Sequence, residues 1–414
     1  MEVSGKLDEL ARSVEEEVRE LWPKLEELNL ANQARILDAF GRARVSSFHL
    51  QGSTGYGYND HGREVLDNIY ADIFGAEAAL VRGQVVSGTH AIALCLYGVL
   101  RPGDELLSLQ GSPYDTLQEM IGIRGDKSGC LAEFGINYRQ VNLSPGELLD
   151  PGVLKTAIGS TTRMVLLQRS RGYSLRPPLG LADMREVIRN IKDVNREVVI
   201  LVDNCYGEFV EDHEPTQVGA DLVAGSLIKN PGGGLAPTGG YVAGRRGLVE
   251  AAANRLTAPG IAGEVGPTLS WQRLLLQGLF LAPGMVCQSL KGMVFASKLF
   301  QHLGFEVEPA WDGPRTDIIQ AITLGSPERL VGFCRGIQSR SPVDSHVRPE
   351  PWNMPGYGDQ VVMAAGTFVQ GASLELTADA PLRNPYTVFL QGGLSYHHVK
   401  LAVLAAAQEV IGIG

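Results

Sequence analysis

Residues 221–244 read DLVAGSLIKNPGGGLAPTGGYVAG. A short apolar run ends at Ser226, Lys229 follows three residues later, and a glycine-rich loop comes next. The run reads as a strand buried on both faces, which places Lys229 just beyond a strand end. A lysine partly withdrawn from water is expected to have a lowered pKa, and its neutral amine attacks an aldehyde. A surface lysine beside a flexible loop is the plain alternative. The glycines do not form a nucleotide-phosphate loop, because GxxxxGK[ST] is absent and the lysine precedes them.

Working outward, VVILVD (198–203) is the strongest strand signal and leaves Asp203 at its carboxyl end. Ligands of open α/β sheets bind outside such ends, and an aspartate there can keep a heterocyclic nitrogen protonated. It can equally cap the next turn. Upstream, QVVSGTHAIAL (84–94) puts Ser87, Gly88 and Thr89 at the start of an apolar-periodic helix. The free N–H groups of such a start suit an anion, although an ordinary cap reads the same way. Tyr114, in GSPYDTL, offers a ring that could stack on a flat heterocycle or simply fill a core.

The surrounding pattern alternates helical segments (63–74, 88–100, 113–122, 181–194) with short apolar ones (79–82, 105–109, 164–168, 198–203, 221–225, 240–243). That alternation predicts a layered α/β domain. Leu7, Leu10, Val14, Val18 and Leu21 mark a helix before Pro23, and a second helix runs over 24–40. The arm GSTGYGYNDHGRE (52–64) fits neither period. After about residue 270 a long helical stretch, broken near Pro283-Gly284, leads to FEVEP, DIIQAITLG, VVMAAGTF, SLELT and TVFLQGG, read as antiparallel strands. The expected division is 1–62 (N-terminal helices and arm), 63–284 (large α/β domain) and 285–414 (small α+β domain).

Composition narrows the function. A formal charge of -10 argues against binding to a polyanion, so no nucleic-acid partner is expected. Five scattered cysteines show no CxxC or metal spacing and suit a reducing compartment. Neither a signal-peptide pattern nor a run of about 18 uninterrupted apolar residues is present, and a soluble, cytoplasmic protein without a membrane partner is expected.

In their order, these segments resemble fold-type I pyridoxal-phosphate enzymes, in the cystathionine lyase branch. More closely, GYGYNDHGRE, QRSRGYS, VDNCYGEF, SLIKNPGGGLAPTGGYVAG and VFLQGGLSYHHVKLA resemble the methionine gamma-lyase-like, or aluminium-resistance, family, over about residues 30–410. The resemblance implies a seven-stranded, mostly parallel sheet with a smaller C-terminal α+β domain. It implies pyridoxal 5'-phosphate as cofactor, Lys229 as its Schiff-base former and Asp203 as partner of its ring nitrogen. Tyr114 becomes the stacking ring, and Ser87, Gly88, Thr89 and Ser226 hold the phosphate.

In that branch a Tyr-x-Arg pair from a neighbouring subunit completes the phosphate cup. Here Tyr56-Gly57-Tyr58 matches only the tyrosine, with Arg63 the nearest arginine. A homodimer with shared sites, assembled as a homotetramer, follows from the same resemblance. Arg171 and Arg383 are the candidates for a substrate carboxylate, since a guanidinium fork fits it. The implied reaction is β- or γ-elimination from a small sulfur-containing amino acid. A γ-replacement synthase, an aminotransferase and a non-catalytic protein of metal resistance are the alternatives.

Overall fold

The computed structural model describes residues 2–412 apart from 126–127 and 355–356. Helices α1 (Glu2–Val18) and α2 (Trp22–Arg42) precede the arm, and α3 (His61–Phe74) follows it. Then come β1 (Ala78–Arg82), α4 (Gly88–Val99), β2 (Glu105–Ser108), α5 (Asp115–Ile121), β3 (Asn137–Gln140), α6 (Pro145–Leu149), α7 (Pro151–Ala157) and β4 (Thr162–Gln168). The large unit closes with α8 (Leu181–Val194), β5 (Val199–Asp203), β6 (Leu222–Ser226), β7 (Gly240–Gly244) and α9 (Arg246–Leu256). Helix α10 (Gln272–His302) leads to β8 (Glu306–Glu308), β9 (Ile319–Thr323), α11 (Pro327–Gln338), β10 (Val361–Ala364), β11 (Thr377–Pro381), β12 (Thr387–Gln391) and α12 (Tyr396–Gly412).

The apolar run of β5 is buried at every residue, as a central strand covered on both faces must be. It lies mid-sheet in the order β1-β7-β6-β5-β4-β2-β3. All pairings among β3, β2, β4, β5 and β6 are parallel, and β7 runs antiparallel between β6 and β1. The carboxyl ends of β4, β5 and β6 therefore open on one edge, at Gln168, Asp203 and Ser226. The second sheet, β10-β11-β12-β9-β8, is antiparallel throughout. Strand β3 escaped the pattern reading because NYRQ is a polar edge strand without an apolar run. SLELT is not a strand. The carboxylate of Glu375 accepts the N–H groups of Phe368 and Val369, which commits that stretch to a loop, and pairing starts only at Thr377.

Two further expectations change. Helix α10 continues through Pro283 without a break, and its two halves serve two cores. Leu275–Leu290 packs in the large unit, whereas Met293–Phe300 packs in the small one. The first 62 residues likewise form no unit of their own. Leu7, Ala11, Val14 and Val18 of α1 join the small core, while Ile36 and Ala39 of α2 join the large one. Helix α10 is long and apolar enough to cross a membrane by length and composition, but 72% of its apolar window is buried inside the chain.

The glycines after Lys229 serve packing. A Cβ on Gly278 of α10 would lie 2.2 Å from the Gly232 carbonyl oxygen, and one on Gly233 would lie 2.1 Å from that of Gly278. The loop and the helix thus touch backbone to backbone, which fixes the segment that carries Lys229. Gly278→Ala is expected to cost about 1–3 kcal/mol through overpacking. Urea unfolding measures it, and an unchanged midpoint would show that the contact relaxes freely.

Candidate active site

A cavity of about 460 Å³ opens beyond the carboxyl ends of β4, β5 and β6. The start of α4, Tyr114 and the loop 168–176 form its walls, and Tyr357, Gly371 and Arg383 close it from the small unit. Every site residue expected from the sequence lines it except Tyr56 and Arg63.

At its floor, Asp203 is buried, and its Oδ1 accepts the Cys205 N–H at 3.2 Å. Burial pushes the carboxyl pKa up, with Lys229 pulling against it. Lys229 Nζ sits 3.9 Å from the centroid of the Tyr206 ring, a cation–π distance. Tyr206 has a left-handed backbone (φ 72°), which is costly for an aromatic residue. The Asn230 side-chain amide holds it there by donating to the carbonyls of Tyr206 and Glu208, at 3.1 and 2.9 Å. The lowered lysine pKa expected from burial alone is corrected by the structure. Desolvation does push it down, but Cys205, Tyr206, Asp203 and Tyr114 together hold it well above the usual lysine range.

At the other end, Ser87 caps α4 by accepting the His90 N–H at 3.0 Å. The N–H groups of that first turn have no helical acceptor and face the cavity edge. A Cβ on Gly88 would meet Cys205 Sγ at 3.0 Å and Ser226 Cβ at 3.7 Å, so the helix start is drawn against the ends of β5 and β6. The hydroxyls of Thr89 and Tyr114 are 3.1 Å apart. Burial, reinforced by the Asp203 charge, holds the Tyr114 phenol well above its ordinary pKa, hence protonated.

This donor set fits pyridoxal phosphate. A buried carboxylate whose ionised form is disfavoured gains from a cationic ring nitrogen at contact. Donors at a helix start and a strand-end serine suit a phosphate. Asp203 and Ser226 end adjacent strands of one sheet and Lys229 follows three residues beyond Ser226, so the three side chains open on one edge.

Arg63 requires correction as a cofactor ligand. It is 2% exposed, and its guanidinium donates to the carbonyls of Gly57, Gly266 and Glu264 at 2.6, 3.0 and 2.9 Å. With those donors engaged it pins the arm to its own chain. The Asp60 carboxylate adds to this by accepting the hydroxyls of Ser53 and Thr268. Tyr56 projects outward, 72% exposed, with its ring 5.6 Å from that of Tyr58. Of the two arginine candidates, Arg383 stands at the mouth, engaged with Asp359 at 3.2 Å and the Tyr173 carbonyl at 2.9 Å. Arg171 is fully buried beside Glu308 at 3.4 Å, with Nε and Nη1 unpartnered. The sequence reading missed Cys205, Tyr206, Gln168, Tyr173 and Arg176, all of them on the cavity wall. The first two lie inside VDNCYGEF, where adjacency to Asp203 was the available signal.

The family model for methionine gamma-lyase matches residues 7–411. A carbon-sulfur lyase involved in aluminium resistance from Clostridium novyi NT superposes with a TM-score of 0.92 at 45% identity, covering 97% of this chain and 95% of that one. An uncharacterised protein of Bacillus subtilis is 49% identical over 406 residues, 98% of this chain and 96% of its own. In fold alone, the chain is similar to a pyridoxal-5'-phosphate dependent protein of Escherichia coli, with a TM-score of 0.64 at 18% identity, covering 94% and 97% of the two chains.

Removing the Arg63 clamp should free the arm. In Arg63→Ala, limited proteolysis is expected to cut within 52–60 far faster than in the parent chain. Equal cutting would show that the arm is held by other contacts.

Proposed function

The chain belongs to the methionine gamma-lyase family, and from that premise we propose that it is a pyridoxal-phosphate-dependent carbon–sulfur lyase. Its substrate is a sulfur-containing amino acid, cleaved by β- or γ-elimination with consumption of one water to a 2-oxo acid, ammonia and a thiol. The observation that carries this reading is the convergence of Lys229, Asp203, Tyr114 and the α4 start on one cavity. Bound pyridoxal phosphate supplies an electron sink for negative charge at the substrate's α-carbon.

The chain's own residues supply the rest. Asp203 would hold the ring nitrogen of the cofactor protonated, and Ser87, Gly88, Thr89 and Ser226 would hold its phosphate. Tyr114 would stack on the cofactor ring, and it keeps its proton at neutral pH, so its hydroxyl can donate to a departing sulfur. The Lys229 amine would tether the cofactor and, when free, could accept the proton from the substrate's α-carbon, with the Tyr206 face steadying its charged form. Arg171 or Arg383 takes the substrate carboxylate. The retained lysine and aspartate favour this over a non-catalytic protein of metal resistance. Loss of ammonia, in place of its transfer to a 2-oxo acid, separates it from an aminotransferase.

A homodimer with shared sites, paired into a tetramer, is part of the same proposal. The exposed Tyr56–Tyr58 pair, held out on a clamped arm, supports it. So is a cytoplasmic location, which fits five cysteines with no disulfide among them.

A panel of sulfur amino acids, scored for 2-oxo acid and thiol, tests the activity. Lys229→Ala should lower turnover by orders of magnitude, because tether and proton carrier vanish together. Asp203→Asn should keep the yellow colour and lose most of the rate, and full activity there would reduce Asp203 to a turn residue. For the shared site, Lys229→Ala and Tyr56→Phe chains, each inactive alone, are mixed under conditions that exchange subunits. Partial recovery is expected, since one pocket of each hybrid carries neither change. A mixture that exchanges yet stays inactive would assign the arm to its own subunit.

A further inference from the structure

At and behind the cavity wall, Arg171, Arg176 and Arg315 stand near one buried acid, Asp317. Asp317 accepts from the Ser170 hydroxyl at 3.0 Å, the Arg171 N–H at 3.4 Å and the Ile319 N–H at 3.0 Å. Arg171 comes from the loop after β4 in the large unit, and Arg315 and Thr316 come from the approach to β9 in the small one. The two segments meet closely, since a Cβ on Gly180 would lie 3.1 Å from Thr316 Cγ2. Arg171 gives Nη2 to Glu308 at 3.4 Å, and Arg315 gives Nη2 to Gln320 Oε1 at 2.6 Å. Arg176 gives Nη2 to the carbonyls of Gln168 and Ser170 and Nη1 to that of Pro177.

What remains is unpaired. Nε and Nη1 of Arg171, Nε and Nη1 of Arg315, and Thr316 Oγ1 are buried donors without an acceptor. Leaving such groups unmet costs about 1–3 kcal/mol each, and more when they are charged. Water could accept the hydrogen bonds but would not balance the charge. Three guanidiniums face Asp317, Glu308 and, from Arg176, Asp203; Asp203 is already opposed by Lys229, and Glu308 is 54% exposed and therefore screened. Burial pushes Arg315 down to about 10, with Asp317 and Glu308 opposing and Arg171 adding its repulsion. Burial takes Arg176 to about 10 as well, against Asp317 and Asp203 and again with repulsion from Arg171.

We infer that Arg171 and Arg315, with Thr316, form a notch for one small oxyanion at the junction of the two units. Its occupant is a carboxylate-sized anion, either the acid group of the substrate or a free inorganic anion. The first source rests on the proposed lyase function, and the second does not. Occupancy would bridge the 169–180 loop, which lines the cavity, to the strand system of the small unit. Anion binding thereby stiffens the wall opposite Lys229.

Calorimetry on the cofactor-loaded full chain reads the notch directly, with sodium acetate and inorganic phosphate as separate titrants in a chloride-free buffer. Loading fills the helix-start site first, so phosphate heat does not arise there. One anion per chain is expected to bind, and Arg315→Gln should weaken it by about tenfold or more, the share of a hydrogen bond to a charged group. Should that variant fold poorly, Arg315→Lys keeps the charge without the fork and should weaken binding less than tenfold but measurably. Acetate preference with competition by L-methionine assigns the notch to the substrate. Phosphate preference without competition assigns it to a free anion. No heat from either titrant in the parent chain, or unchanged affinity in Arg315→Gln, overturns the inference. A chain that binds acetate yet lacks lyase turnover keeps the notch and loses only the proposed reaction.

Discussion

A lysine and an aspartate withdrawn from water at the ends of neighbouring strands set the terms for everything around them. Each charge is costly alone, and together they only partly compensate, because burial pushes Asp203 up while Cys205, Tyr206, Asp203 and Tyr114 hold Lys229 above its ordinary range against desolvation. A cationic heterocycle against the aspartate and a carbonyl carbon for the lysine would relieve both. The sheet makes this arrangement rigid. Asp203 ends β5 and Ser226 ends β6, adjacent in a parallel pair, and Lys229 follows three residues beyond. The spacing of Asp203 and Ser226 is therefore fixed by strand geometry, and that of Lys229 depends on the loop that follows β6.

Holding a lysine-bearing loop against that edge takes unusual packing. Backbone meets backbone where Gly232 and Gly233 touch Gly278, and Asn230 clamps the strained Tyr206 under the ammonium. Helix α10, which supplies Gly278, also runs into the core of the small unit. Forces on that unit thus reach the lysine loop through one continuous helix. The Arg171–Arg315 pair, where we place the oxyanion notch, spans the same two units. Wall, loop and small unit are mechanically one assembly around the cavity.

Much of this was legible in the sequence wherever one residue type has a narrow set of uses. A continuous apolar run ending in Asp203 and a lysine three residues after Ser226 picked out residues at the floor of the cavity, and SGT before an apolar helix picked out residues of its wall. Three things were not legible, each for a physical reason. Arg63 looked available because its three carbonyl acceptors are remote or irregular in sequence, two of them near residue 265. The glycine run looked like a ligand cradle because a missing Cβ does not say which backbone approaches. Arg315 was invisible because its meaning depends on Arg171, 144 positions earlier, and burial of both appears only in the folded chain.

Pairing of Lys229 with the cofactor is the claim on which the account stands, and it can be read without any substrate. The purified chain is loaded with pyridoxal phosphate, reduced with borohydride, digested and mapped by mass spectrometry. The account predicts one phosphopyridoxyl group per chain, on the peptide containing Lys229, together with loss of the yellow absorbance. A label spread over surface lysines, or none at all, would contradict it.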